Sequence, residues 1–351
     1  MQIKVVPMAY DDLTERERKV LEAVVQSYIE TAEPAGSRTI AKAFPLGVSA
    51  ATIRNTMSDL EERGYLYHPH PSAGRIPTDR AYRVYVDSVI WNRQIAPHEQ
   101  DALHRALGGE RSAIEDVLRK AAQVLGVLTQ ELGIGVKPAL ASGVLERLEL
   151  LRVSSERLLM VLVIRGGVAR TIFLEVRSHL PADVVASVSA LLNERLSGLT
   201  LEEVRRTLRE RLRDTSAGAS EQELLNIFIE EADQLFDVRA DDGGVVMSSA
   251  QMLAEQPEFH SNEQMRALLE LTEQRDLLRK ALLERRTPGL NVTIGAENLD
   301  PRLKAFTIVT STYTAGSLSG VIGVIGPTRM PYQKVLALVE YTSRLMSDLA
   351  Q

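Results

Sequence analysis

Three helical patterns follow one another within the first 64 residues, and each has its own start and stop signals. The first begins at Thr14, which forms a capping-box pattern with Glu17. Ser37 and Ser49 are the predicted N-caps of the second and third patterns, and Gly64 is the predicted stop of the third. A longer helix followed by two short helices with a tight turn between them is typical of a helix-turn-helix.

Apolar residues recur at helical spacing in all three patterns, so each helix can contribute one face to a shared core. These positions are Leu21, Val24, Val25, Tyr28 and Ile29 in the first helix, Ile40, Ala41 and Phe44 in the second, and Ile53, Met57 and Leu60 in the third. We therefore expect the remaining positions of the third helix to face solvent.

The residues after Gly64 change from helical to extended character. Tyr65-Leu66-Tyr67 is a strand signal, and the Pro- and Gly-rich stretch 68–77 predicts a hairpin loop, or wing. A further helix is capped by Thr78 or Asp79, and its predicted buried residues are Tyr82, Tyr85, Val86, Val89 and Ile90. Residues 1–92 are therefore predicted to form a winged helix-turn-helix.

The charge distribution is uneven. The net charge of −6 argues against a nucleic-acid partner when it is taken alone. Residues 38–83, however, hold seven cations against four anions: Arg38, Lys42, Arg54, Arg63, Arg75, Arg80 and Arg83 against Asp59, Glu61, Glu62 and Asp79. A modest basic surface on an acidic protein suits a selective DNA reader.

The outer face of the third helix has the composition of a recognition helix. Its small and polar residues would let the helix enter the major groove, where Arg54 can pair with guanine and Asn55 with adenine. The predicted contact residues are Ser49, Ala50, Ala51, Thr52, Arg54 and Asn55. The alternative is an ordinary solvated amphipathic helix, and this helix alone does not decide between the two.

Two further features add to the DNA-binding prediction. The wing loop Ser72-Ala73-Gly74-Arg75 would bring backbone amides and one arginine close to phosphate or to the minor groove. Ser37 and Arg38 lie at a helix N-terminus, where the helix dipole favours an anion. The combination of these features with the third helix favours a double-stranded DNA partner.

The rest of the chain predicts an α+β fold interrupted by an insertion. Residues 93–110 are predicted as a connector, and Gly166-Gly167 as a hairpin turn. Predicted helices span 113–132, 181–196, 201–212, 221–236, 262–286 and 331–349, and predicted strands span 145–153, 157–164, 169–176, 245–247, 291–294, 306–313 and 319–325.

Four segments of the sequence closely resemble the heat-inducible transcription repressor family, HrcA. They are 49–61 (SAATIRNTMSDLE), 72–78 (SAGRIPT), 82–87 (YRVYVD) and 323–330 (GVIGPTRM). The sequence departs from the family pattern at Thr56, Pro71 and Ala81, where we expect Glu, Thr and Gly.

The resemblance implies a multidomain fold. It consists of the winged helix, a GAF-like α+β domain over 111–177 and 261–351, and an inserted dimerising α/β subdomain over 178–260. It further implies a homodimeric repressor of chaperone operons that binds an inverted-repeat operator, with a chaperonin of the GroEL type modulating its activity.

Two apolar stripes in the insert support its predicted role in dimerisation. The first consists of Val184, Val185, Val188, Leu191 and Leu192, and the second of Leu224, Leu225, Ile227, Phe228 and Leu235. Together they offer more apolar surface than one small subdomain covers easily. The alternative is that the two stripes pack on each other.

Several function classes lack their signatures. The chain has no cysteine, which excludes disulfides and thiolate chemistry, and no catalytic, dinucleotide-binding or P-loop motif. The Gly-rich stretch 316–326 is better explained as a β-hairpin, and His68 and His70 as surface residues. We expect no enzyme activity, no cofactor and no metal.

Neither a signal peptide nor a membrane-spanning segment is predicted, so we expect a cytoplasmic protein without a membrane partner. The alternative function is a metabolite-responsive winged-helix repressor with a ligand in the GAF-like domain.

Overall fold

The computed structural model of the chain describes residues 13–70, 73–91, 95–108, 114–138, 140, 143–165, 168–176, 180–213, 218–236, 244–285, 288–316 and 318–349. The predictions for Pro71, Ser72 and the Gly166-Gly167 turn lie outside these residues. The chain divides into two compact units. The first unit is Met1–Gly135, Val245–Thr312 and Val321–Leu345, and the second is Val136–Gly244, Tyr313–Gly320 and Met346–Gln351.

The first unit begins with the predicted winged helix. Its elements are α1 (Glu15–Thr31), α2 (Ser37–Ala43), α3 (Ala50–Glu62), β1 (Leu66–Tyr67), β2 (Ile76–Pro77) and α4 (Asp79–Val89). Thr14 and Glu17 form the predicted capping box, and Gly64 follows α3 with a positive φ of 76°. The strands β1 and β2 pair antiparallel, with Leu66 opposite Pro77. The sequence prediction of this fold is confirmed.

The start of α2 differs from the prediction. Gly36, in extended conformation, is the N-cap, and Ser37 is the first helical residue and is buried. The reason lies in the preceding residue. Ala35 exchanges two backbone hydrogen bonds with Arg75, of 2.8 and 2.9 Å, so the chain stays extended until Gly36. Ser37 as N-cap was therefore wrong.

The remainder of the first unit is built on a five-stranded sheet, which we call the core sheet, in the order β7-β3-β10-β9-β8. Its strands are β3 (Leu132–Val136), β7 (Val245–Met247), β8 (Leu290–Ile294), β9 (Thr307–Ala315) and β10 (Leu318–Gly326). The Gly-rich stretch 316–326 thus belongs largely to β10, a neighbour of β9, as predicted. The strands β3, β9 and β10 are buried along nearly their whole length.

The helices that accompany the core sheet are α5 (Pro97–Leu107), α6 (Ile114–Thr129), α10 (Gln251–Ala254), α11 (Asn262–Glu273), α12 (Arg275–Leu283) and α13 (Tyr332–Leu349). The predicted connector 93–110 was wrong, because it contains α5. The single helix predicted over 262–286 was also wrong, because Gln274 leaves the helical conformation with ψ 66° and separates α11 from α12.

The second unit combines one sheet with three helices. The antiparallel strands are β4 (Leu145–Arg152), β5 (Arg157–Ile164) and β6 (Val168–Glu175), and the helices are α7 (Ala182–Leu196), α8 (Leu201–Leu212) and α9 (Ala219–Leu235). All six agree with the sequence prediction to within two residues. They share one buried cluster that includes Leu148, Met160, Leu192 and Phe228.

The division between units differs from the predicted domains. The strands β4 to β6 were assigned to the GAF-like domain, yet their apolar face packs against the helices of the predicted insert. The strand β7, placed in the insert, is an edge strand of the core sheet. Within the described residues, no helix is long and apolar enough to cross a membrane.

Candidate nucleic-acid interface

The helix α3 presents the predicted DNA-reading face to solvent. The Ser49 hydroxyl accepts a hydrogen bond from the Thr52 amide at 3.1 Å and so caps the helix. Ile53, Met57 and Leu60 are buried as predicted. The exposed positions in the N-terminal half of α3 are Ser49, Ala51, Arg54 and Asn55, with Ala50 and Thr52 half-buried beside them.

Thr56 faces the core of the winged helix. Its side chain is 3 % exposed, and its hydroxyl donates to the Thr52 carbonyl at 3.1 Å. Thr56 departs from the family pattern, but its side chain is not part of the exposed face of α3, so the departure leaves that face unchanged. The departure at Ala81 is likewise fully buried.

The base of the wing is tied to the turn before α2. Residues Ala35 and Arg75 form an antiparallel bridge. A Cβ built on Gly74 would lie 2.5 Å from backbone atoms of Pro34 and Ala35, a separation that real Cβ atoms do not adopt. Glycine is therefore required at this position for the wing to approach the helix-turn-helix. Ala73, next to it, is half-buried.

Arg75 has partners inside the winged helix. Its guanidinium lies 2.9 Å from the Glu61 carboxylate and also contacts the His68 ring, while His68 contacts Glu61 in turn. The Arg75 side chain is 15 % exposed. The predicted contact of Arg75 with DNA would thus have to be made by a guanidinium that already holds the end of α3 to the wing.

Three further cations of the basic segment also have internal partners. Arg63 forms an ion pair with Glu17 at 3.0 Å, and Arg80 lies over the Tyr65 ring at 4.2 Å. Arg83 pairs with Glu297 of the core.

The basic surface is consequently smaller than the sequence count indicated. Arg38, Lys42 and Arg54 are exposed, and none of them forms an ion pair within the described part of the chain. Lys42 was not among the predicted contact residues, although its position one turn after Arg38 could have suggested it.

Other candidate sites are weaker. Among the described residues, no group of three His, Asp or Glu side chains could hold a metal. A groove of about 530 Å³ beside α12 and β8 is lined in part by Lys280, Arg285, Thr293 and Glu297. The Arg285 guanidinium donates to Thr293 at 2.8 Å, and its buried Nε has no hydrogen-bond partner.

Comparison with known proteins gives matches at both ends of the chain. Residues 12–88 match the family described as winged helix-turn-helix transcription repressor, HrcA DNA-binding, and residues 115–336 match the HrcA protein C terminal domain. The chain belongs to the HrcA family. The YRVYVD and GPTRM segments that indicated this family lie within the two matched regions.

Curated relatives extend the HrcA match to nearly the full length. Heat-inducible transcription repressor HrcA of Chlorobium phaeobacteroides strain BS1 is 39% identical, covering 97% of this chain and 99% of that protein. The HrcA repressor of Prosthecochloris aestuarii is 37% identical, covering 96% and 97%. A solved structure described as a hypothetical protein at 2.2 Å resolution aligns with a TM-score of 0.62 at 25% identity, covering 96% of this chain and 98% of that one.

Proposed function

We propose that this HrcA chain acts in the cytoplasm as a dimeric repressor that binds an inverted-repeat operator in front of chaperone genes. The observation that carries the proposal is the N-terminal half of α3, where Arg54 and Asn55 are exposed, together with a wing whose approach to the helix-turn-helix requires Gly74. Small side chains beside them, such as Ala51, leave room for entry into a major groove.

The contact residues divide by role. Arg54 and Asn55 read base edges, while Ser49, Ala50, Ala51 and Thr52 allow close approach at the capped N-terminus of α3. Arg38 contacts phosphate at the start of α2, with Ser37 placing the first turn of that helix from its buried position. Ala73, Gly74 and Arg75 are the proposed wing contacts, together with Ser72, which lies outside the described residues.

The dimer contact belongs to the second unit, on a surface that differs from the predicted one. Most residues of the predicted stripes are buried inside the unit: Val188, Leu192, Leu224 and Phe228 are at most 1 % exposed, and Val184, Leu191 and Ile227 are partly buried against the same cluster. The alternative interpretation, that the stripes pack on each other, therefore accounts for them. A residue buried within its own subunit cannot supply the contact.

The outer face of the three-stranded sheet is the better candidate. Leu151, Leu159 and Phe173 lie opposite one another across β4, β5 and β6, and Leu151 and Phe173 are 49% and 58% exposed. Val153, 56% exposed, follows the end of β4. A contiguous apolar row on a sheet face is typical of a subunit interface. Two-fold symmetry would place this row against its own copy.

A gel-shift titration tests the function directly. The full chain should bind the promoter of its host's chaperonin operon more tightly, by about 10³-fold or more, than a scrambled duplex of equal length at equal salt. Equal affinity for both duplexes would contradict the proposal. Addition of purified chaperonin should increase the bound fraction if the chaperonin modulates the repressor.

The groove beside α12 gives the metabolite-responsive alternative a location. Its lining holds two cations, Lys280 and Arg285, and three carboxylates, Glu284, Glu297 and Asp300, so it would suit a small polar ligand that carries both charges. A thermal-shift screen of small polar metabolites, run beside the chaperonin titration, distinguishes the two forms of control. A metabolite that stabilises the chain and releases operator DNA, with no effect of chaperonin, would favour the alternative.

A further inference from the structure

The helices α1 and α4 of the winged helix are joined to the core sheet region by a set of polar contacts. The Arg83 side chain of α4 is 12% exposed and donates from Nε to Glu297 at 2.8 Å and from Nη2 to the Val292 carbonyl at 2.8 Å. A second bond to Glu297 makes the pair bidentate. Such a pair fixes direction as well as distance, because two parallel bonds do not allow rotation.

The N-terminus of α4 makes a second connection of the same kind. The Asp79 carboxylate accepts a hydrogen bond from the Ala296 amide at 2.9 Å. Residue 295 must be glycine for this approach, since a Cβ built there would lie 2.0 Å from the Asp79 Oδ2 atom. The 3-10 turn Gly295–Glu297 therefore contacts α4 at two points. The Ala296 amide binds Asp79, and the Glu297 carboxylate binds Arg83.

The end of α1 is bound by Arg329, which lies in the last thirty residues of the chain. Arg329 donates to the Ile29 carbonyl at 2.9 Å and to Glu258 at 3.0 Å. Tyr332, fully buried, lies 5.9 Å from the Tyr82 ring. The segments YRVYVD and GPTRM that resemble the family therefore meet the same interface from its two sides.

None of these contacts uses the exposed face of α3. Since α3 packs on α1, and α1 on α4, fixing α1 and α4 to the core also fixes the direction in which α3 points. The recognition residues remain open to solvent in this arrangement, so the contacts do not block the DNA-reading face.

We propose that Arg83 and Glu297 are positioning residues that set the direction of the recognition helix and thereby make the repressor selective for one spacing between operator half-sites. The inference rests on the proposed inverted-repeat operator. Two recognition helices reach two half-sites at a fixed separation only when each helix is held rigidly by its own chain. A loosened winged helix would still read a half-site but would accept several separations.

The test measures the affinity of the full chain for operators whose central spacer is lengthened or shortened by a few base pairs. Wild type should lose affinity with each change. In Arg83→Gln and Glu297→Gln, the ratio between native and altered spacers should fall by about tenfold, a typical size for coupling between two sites. Arg83→Lys keeps the charge but not the bidentate geometry, so its affinity ratio should lie between the ratios of the two Gln variants and that of wild type.

The matched control is Arg302→Gln. Arg302 lies between β8 and β9, where it is exposed and forms an ion pair with Asp300 at 2.7 Å. It has no part in the contacts of α4. It should leave the spacer ratio at the wild-type value. Circular dichroism of every variant checks that the fold is intact, and Glu297→Gln tests the pair from the core side if Arg83→Gln fails to fold.

A second measurement is independent of DNA. Because the chain has no cysteine, a Lys42→Cys, Glu270→Cys double variant can be spin-labelled at these two exposed positions only. The labelled chains are then diluted with unlabelled chains. The distribution of distances between the two labels should be narrow in this double variant and broader when Arg83→Gln is added to it.

The outcomes separate the two proposals. If wild type binds no inverted repeat, the operator proposal is wrong and the positioning role is excluded with it. If wild type discriminates between spacers and the variants do so equally, only the positioning role is wrong. Higher affinity of Arg83→Gln for the native operator would also overturn it, because the contacts would then hold an inactive orientation.

Discussion

Arg54 and Asn55 stand on the exposed side of α3, while their neighbours Ile53 and Thr56 are buried. The alternation is a property of the helix period, so the sequence alone could assign it. The partners of Arg75 were not predictable in this way. Glu61 and His68 come near it only after the wing has folded back, and hairpin geometry decides which side chains meet.

Replacement of Arg54 by alanine should cost about 1–3 kcal/mol of specific operator binding, because a bidentate contact to guanine is lost. The preference at one base pair per half-site should relax at the same time. Footprinting on native and single-substituted operators measures both effects. Unchanged preference at every base pair would mean that Arg54 touches only the backbone of the DNA.

Replacement of Arg38 by alanine should flatten the dependence of log affinity on log salt by about one unit, since one phosphate contact is lost. The control is Lys304→Ala, which removes an exposed cation between β8 and β9 and should leave the slope unchanged. The same titration on Arg75→Ala tests the wing contact. If Arg75→Ala keeps the wild-type slope, Arg75 has only its structural role beside Glu61.

At the scale of elements, caps and periodicity predicted most of the helices and strands. In β5 the short apolar run 158–164 indicates a strand, and in the structure its buried residues alternate with half-buried ones. The strand β3 has all five residues buried and so shows no alternation. In α5 the buried residues Glu99, Leu103 and Leu107 are too few to mark an apolar face, and Glu99 is held by Lys334, far away in sequence.

The geometry of the wing leaves little room for change at Gly74. Gly74→Ala should displace it from the turn at Ala35 and destabilise the chain by about 1–3 kcal/mol, the usual cost of overpacking. Operator affinity should fall as well. Urea unfolding and gel shifts measure the two effects.

Gly218→Ala provides the control for the wing variant. The nearest atom to a Cβ at Gly218 is 3.7 Å away, an ordinary contact, and this residue lies in the second unit. The control should therefore leave operator binding unchanged. Wild-type stability of Gly74→Ala would show that the wing can shift without cost.

At the scale of the whole molecule, the dividing line between units was the least predictable feature. The order of helices and strands was largely correct, but sequence order does not reveal which sheet a strand joins. The strand β7 illustrates this point, since its three residues lie at the edge of the core sheet next to β3, more than a hundred residues earlier in the chain.

The proposed dimer face can be tested without removing any element. Phe173→Glu should convert the dimer to a monomer in light scattering at micromolar concentration, because a charge would be buried in an apolar interface. Arg206→Gln, the same change in net charge at an exposed residue of α8, should remain dimeric. A dimeric Phe173→Glu with an intact fold would exclude the outer sheet face.

The pair between Arg83 and Glu297 has a consequence for protein engineering. The two residues are separated by 214 positions, yet one belongs to the DNA-binding segment and the other to the core. A chimera that transplants only the first ninety residues of a relative would therefore exchange one half of an interlocking surface. The donor segment and residues 292–297 would need to be exchanged together, so this winged helix is not an interchangeable cassette.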